Sequence, residues 1–194
     1  MKNPLDSLHK TLAIGLVVAI ILALIFHRAL FGEEGYWAGV LRWLHVFFGI
    51  LWIGLLYYFN FVQTPSMPKI PDDQKPAITK FIAPSALFFF RWAAMLTIIF
   101  GLLLAGINHY IVEALTLQAG SRVIGVGMWL GIIMWFNVWF LIWPNQKKVL
   151  GIVEASADEK KRGGRVAALA SRTNTLLSIP MLYCMIGQSH MGTM

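Results

Sequence analysis

Residues 123–143 read VIGVGMWLGIIMWFNVWFLIW. The stretch carries no charge, and Asn137 is its one side-chain amide. As a helix it would be about 31 Å long, at 1.5 Å per residue, which matches a hydrocarbon core about 30 Å thick. Leu12–Phe26 is a second unbroken apolar run. Lys2 and Lys10 precede it and no small-x-small cleavage site follows, so it reads as a retained helix rather than a removed signal.

The rest of the chain repeats this pattern. Of its 194 residues 58% are hydrophobic and 13% charged, with a mean hydropathy of +0.67. Apolar residues gathered into long runs exclude a soluble domain. The predicted fold is all-α: one membrane domain over 1–194, a polytopic bundle of five transmembrane spans at about 11–31, 40–61, 87–107, 123–143 and 170–191. The fifth is the shortest. Its apolar part, Thr175–Gly187, spans a bilayer only if the helix starts near Val166, and Pro180 would kink it. Pro65–Lys80 and Ala155–Gly164 read as polar loops. Gly127 and Gly131 form a Gly-x-x-x-Gly pair that would let another helix approach closely.

The net charge of +7 does not point to nucleic acid, because of where the charge lies. Of 16 Lys and Arg, 12 flank the inner ends of the five spans: Lys2, Lys10, Lys69, Lys75, Lys80, Lys147, Lys148, Lys160, Lys161, Arg162, Arg165 and Arg172. Arg28, Arg42 and Arg122 fall on the other face. Arg91 sits near the inner end of the third span. Positive charge marks the cytoplasmic side, so the N-terminus is expected inside and the C-terminus outside. The one cysteine, Cys184, excludes an intramolecular disulfide, a cysteine zinc cage or an iron–sulfur cluster held by this chain alone.

The histidines suggest a function. His9 is cytoplasmic, whereas His27, His45, His109 and His190 all fall toward the outer face. An ionisable group inside a span is costly and reads as functional. His45 lies roughly 7–8 Å inside the second span. Phe48, Gly49 and Trp52 share its helical face at i+3, i+4 and i+7. A glycine one turn from a histidine clears room for a flat ring. His190 is expected at a similar depth, so His45 and His190 are a candidate axial pair for haem b. Arg42 and Arg122 are candidate partners for its propionates. His27 and His109 end the first and third spans. They are the next candidate ligands, although histidines at helix ends are more often interfacial. Copper is the competing metal, because Met181, Met185, Met191 and Met194 lie on or after the fifth span and thioethers favour Cu(I). Asn137, Arg91 and Asn174 are expected to join helices.

Several blocks resemble the membrane domain of bacterial membrane-bound urate oxidases, whose members usually carry a C-terminal cytochrome c. Arg42-Trp43-Leu44-His45-Val46, Gly49-Ile50-Leu51-Trp52-Ile53-Gly54 and Tyr57-Tyr58-Phe59 are similar to its first block. Lys80-Phe81-Ile82-Ala83-Pro84 and Phe90-Arg91-Trp92 are similar to a later one. The most specific likeness is Asn137-Val138-Trp139-Phe140-Leu141-Ile142-Trp143-Pro144-Asn145-Gln146-Lys147-Lys148-Val149. The stretch from Ser171 to Pro180, ending at His190, resembles the last block. Matching family positions are His45, Asn137, Asn145, Arg172, Asn174 and His190. A more distant similarity is to small haem-binding four-helix membrane proteins.

The resemblance implies a multi-pass protein of the bacterial inner membrane that works with a periplasmic c-type cytochrome or inside a larger redox complex. The chain is read as a stand-alone short form without the cytochrome. It has no Cys-x-x-Cys-His, hence no covalent c-type haem. The family's histidine just before the Lys80 block has no counterpart. The leading expectation is thus an electron-transfer protein holding haem b. One alternative is a cofactor-free accessory or assembly subunit, docking through its glycines and Trp129, Trp135, Trp139 and Trp143. A second is a membrane oxidase of urate-like small molecules.

Overall fold

The computed structural model describes residues 3–190, with side chains to residue 188. Every regular element among them is helical. They are α1 (Leu8–Leu30), α2 (Glu34–Lys69), α3 (Lys75–Ile107), the short α4 (Ile111–Leu115), α5 (Arg122–Val149) and α6 (Ala157–His190). The helices α1, α2, α3 and α5 are long and apolar enough to cross a membrane. The contacts divide the chain into two compact units, Met1–Val40 and Leu41–Met194.

In the first unit, Asn3 caps a turn at Pro4–Asp6 by accepting from the Leu5 N–H at 3.0 Å. Helix α1 follows with no residue buried, as suits a helix whose sides are solvated by lipid. Just past its end the Trp37 indole N–H donates to the Phe31 carbonyl, and the His27 ring packs 6.2 Å from that of Tyr36.

In the second unit, Trp52, Leu56, Phe90, Ala94, Met134 and Val138 are almost wholly buried and form the core. Helices α5 and α6 run antiparallel, and their contacts trace one register. Gly163 lies against Asn145, Asn174 bonds Asn137 and the Met134 carbonyl, Gly127 packs on Cys184, and Gln188 bonds Ile124. A Cβ on Gly127 would come 3.0 Å from Cys184 Cβ, so the expected close approach occurs, against α6. Gly125 is tighter still: it faces the Ala114 carbonyl, which brings α4 onto α5.

Three helices widen into a π-type turn, at Tyr58–Gln63, Ile78–Ile82 and Asn137–Ile142. Each lies just before a proline: Pro65, Pro84 and Pro144. Proline has no N–H for the carbonyl four residues back, and its ring crowds that carbonyl. A wider turn relieves both problems without ending the helix. This is why α2 and α3 continue through much of what reads as a polar loop at Pro65–Lys80. The second expected loop, Ala155–Gly164, is likewise mostly helix. Ser156 and Glu159 form a capping box, with the Ser156 N–H on the Glu159 carboxylate at 2.8 Å and the Glu159 N–H on the Ser156 hydroxyl at 3.3 Å. That reciprocal pair starts α6 at Ala157.

Candidate functional site: a histidine-lined cavity

Helices α2, α3, α5 and α6 enclose a cavity of about 790 Å³. One end is polar, where Arg42, Asn108, Tyr110, Ser121 and Gln188 converge. The far end is apolar, floored by Trp52, Ile53, Gly131 and Met181. Arg42 and Ile53 are eleven residues apart on α2, so the cavity runs about 16 Å along that helix. Its rim includes Val46 and Ile50, which are 49% and 70% exposed. The volume lies within the range of small-molecule and cofactor sites.

His45 stands partway down. Its Nδ1 lies 2.8 Å from the Thr97 carbonyl oxygen on α3. A carbonyl only accepts, so Nδ1 carries the proton and donates. In the neutral ring Nε2 then keeps its lone pair. Thr97 is itself buried and donates its hydroxyl to the Ala93 carbonyl at 2.7 Å, one turn back. The imidazole lies on Gly101: a Cβ there would sit 2.8 Å from both Cε1 and Nδ1. Gly101 therefore makes room for the imidazole itself. Gly49, one turn from His45, lines the cavity, with the Thr97 methyl 3.8 Å from where its Cβ would be.

The mouth is built from chain turns. Helix α3 ends with His109 at φ 57°, while the Tyr110 N–H bonds the Ala105 carbonyl five residues back, a Schellman-type stop. That turn brings Asn108 and Tyr110 to the mouth. Burial pushes the Tyr110 phenol up, and the charge of nearby Arg42 pulls it partly back. Across the mouth Gln188 caps α5. Its side-chain oxygen accepts from the Ile124 N–H at 3.1 Å, and its amide donates to the Gly120 carbonyl at 2.7 Å. The Ile124 N–H is one of the donors that a helix start leaves unpaired.

Of the residues singled out in the sequence, the cavity gathers Arg42, His45, Gly49 and Trp52, together with Met181 and Met185. Arg122 is not among its lining residues, and its Nε donates to the Leu117 carbonyl at 3.2 Å. His109 serves the turn beside the mouth, and His27 belongs to the first unit. His190 is the last residue of α6, and its side chain lies outside the described residues, as do Met191 and Met194. Among the described residues no three of His, Cys, Asp and Glu assemble into a metal cage. Thr97, Gly101, Asn108, Tyr110 and Gln188 were not foreseen. A Thr-x-x-x-Gly step inside an apolar span was the available signal for the first two.

Asn137 and Asn174 hold helices together elsewhere. The Asn137 amide donates to the Asn174 side-chain oxygen at 2.8 Å, and Asn174 donates to the Met134 carbonyl at 2.9 Å. Asn145 donates to the Leu141 carbonyl of its own helix, and Arg172 is exposed.

The cavity offers one fixed imidazole with a free lone pair, a guanidinium at its mouth and apolar walls. It also holds an orphan donor: Trp52 is 1% exposed and its indole N–H has no acceptor among the described residues. These features suit a flat, largely apolar ligand with an anionic edge, which describes haem b. A metal held by thioethers would find His45 beside Met181 and Met185.

Residues 116–194 match the family model described as urate oxidase N-terminal. No curated protein and no solved structure matches the chain significantly. The matched stretch contains Asn137, Asn145, Arg172, Asn174 and His190, and it ends the cavity's α5 and α6 walls; His45 lies outside it.

Proposed function

We propose that this chain, whose residues 116–194 match the urate oxidase N-terminal family model, is a multi-pass redox protein of the bacterial inner membrane that holds haem b in the His45 cavity. The observation that carries the reading is the His45–Thr97 bond. A metal-bound histidine commonly donates its other ring N–H to a carbonyl, which fixes the tautomer and aims the free nitrogen. His45 would hold the haem iron through Nε2 and Arg42 would meet a propionate. The second ligand comes from α6: His190 by the sequence argument, with Met181 and Met185 on the cavity wall as the thioether choice. Bound haem would supply one-electron exchange. The chain's own part is to orient the ring through Thr97, exclude water with Trp52, Ile53 and Met128, and neutralise charge at the mouth. A periplasmic c-type cytochrome or a larger redox complex is the proposed electron partner.

This reading takes α6 as a fifth span, with the N-terminus inside and the C-terminus outside. Its antiparallel course beside α5 supports that count. Its apolar part is shorter than the others, carries Ser178 and is preceded by Arg172 and Asn174. The preponderance of basic residues at one set of helix ends supports the orientation.

A reduced-minus-oxidised spectrum of the purified protein is the test. A b-type band is expected, and His45→Ala should remove it. Absence of the band, or indifference to that substitution, overturns the haem reading and leaves a cofactor-free accessory subunit. A second reading is oxidation of a urate-like small molecule, favoured by the family's name and by the convergence of Arg42, Asn108, Tyr110, Ser121 and Gln188. Urate consumption by membranes containing only this chain would establish it.

A further inference from the structure

Arg91 lies in a part of the molecule that the cavity does not use. Its guanidinium carbon sits 3.8 Å from the centre of the Trp143 ring and 5.6 Å from that of Phe88. The Lys147 ammonium lies 5.9 Å from the same Trp143 ring. Aromatic faces can satisfy the flat sides of a guanidinium. Its five N–H groups point outward in its plane and need acceptors. Arg91 makes no hydrogen bond or ion pair among the described residues, and the only ion pair found among them is Lys75–Asp72. Two cations therefore share one tryptophan with no carboxylate between them.

Depth identifies the missing acceptor. Arg91 is 16 residues before Ile107, so about 24 Å from the outer end of α3. Trp143 is 21 residues from Arg122, about 32 Å along α5. With a core about 30 Å thick, Trp143 sits at the inner boundary of the hydrocarbon and Arg91 about 6 Å inside it. Helical side chains lean toward their own N-terminus, which on α3 is the same boundary, so Arg91 extends toward the headgroups. Water is scarce there and an unmade charged hydrogen bond is costly. Phosphate oxygens of the lipid are the acceptors at that level, and a guanidinium fits them with two parallel bonds. Phe88, 48% exposed, keeps the spot open to lipid.

We infer that Arg91, Trp143 and Lys147 form a binding site for the phosphate of an anionic phospholipid of the inner leaflet. An anionic headgroup is preferred to a zwitterionic one because a choline or ethanolamine would add a third cation. The inference rests on the proposed reading of α3 and α5 as spans with the N-terminus inside, but not on any cofactor.

The test is native mass spectrometry of the full chain in mild detergent, with phosphatidylglycerol, cardiolipin, phosphatidylcholine or inorganic phosphate added. Phosphatidylglycerol and cardiolipin should be retained roughly tenfold more than phosphatidylcholine, and Arg91→Gln should remove most of that preference. Arg91→Lys should restore only part, because it keeps the charge without the fork. Lys147→Gln, which leaves the stack on Trp143 intact, should lower retention roughly fivefold and carries the test if Arg91→Gln does not fold. Equal retention of anionic and zwitterionic lipid, or no response to these substitutions, overturns the site. Displacement of the lipid by millimolar inorganic phosphate reassigns it to a soluble anion and also overturns it. Loss of the haem band in the earlier experiment would leave these readings unchanged.

Discussion

The two halves of the second unit place polar groups inside the same bundle to opposite effect. Around Asn137 and Asn174 three pairs of polar side chains close on one another across helices. Asn137 meets Asn174, the Tyr57 and Ser178 hydroxyls lie 2.9 Å apart, and Asn60 donates to Ser171 at 2.8 Å. Asn174 and Ser178 are completely buried. Around His45, glycines stand where side chains would fill space, and a lone pair on His45 and the N–H of Trp52 are left over beside a cavity. Satisfied groups lock helices in register. Unsatisfied ones in a low-dielectric pocket amount to a standing demand for a ligand.

The contrast can be broken most sharply at Gly101. Gly101→Val puts methyl groups where the His45 ring lies and should drive it off the Thr97 carbonyl. We expect complete loss of the b-type band while the protein still purifies as a folded helical bundle; a full band in this variant would show that the cavity is not the site. Next in size is Asn174→Ala, which takes the acceptor from the Asn137 side-chain amide and one of two donors from the Met134 carbonyl. The Met134 carbonyl keeps the Asn137 backbone N–H, so the orphaned group is the Asn137 side-chain amide, and the change should cost about 1 kcal/mol in a denaturation series while sparing the pigment. Pigment loss without loss of stability would show that the inner seam is not merely structural. The smallest effect concerns the start of α6. The Ser156 N–H and hydroxyl hold the Glu159 carboxyl below the usual carboxylate range. A depressed folded value means the contribution is present at neutral pH and disappears as pH falls through that value. Amide exchange at the first turn of α6 should therefore quicken in acid, and Glu159→Gln should remove the pH dependence.

Hydropathy made the spans legible because lipid contact is what it measures. It placed α2 at 40–61, whereas the helix runs Glu34–Lys69, since backbone bonding continues into polar flanks until a cap or turn stops it. The π turns before Pro65, Pro84 and Pro144 carry α2, α3 and α5 past residues that by themselves suggest breaks. The start of α6 was written in Ser156 and Glu159 but masked by the surrounding charge. In the site, Arg42, His45, Gly49 and Trp52 were legible because they share one face of one helix. Thr97, Gly101 and Gln188 were not, because which face α3 and α6 turn toward α2 is decided by packing between helices distant in sequence.

The Gln188 cap has a consequence for how the site comes into being. Three walls of the cavity are on helices synthesised earlier, and the fourth arrives with α6. Until Gln188 seats on the start of α5, the His45 chamber is an open trough along α2, α3 and α5. A ligand as rigid as a macrocycle would load most readily in that interval, before the Gln188 latch closes.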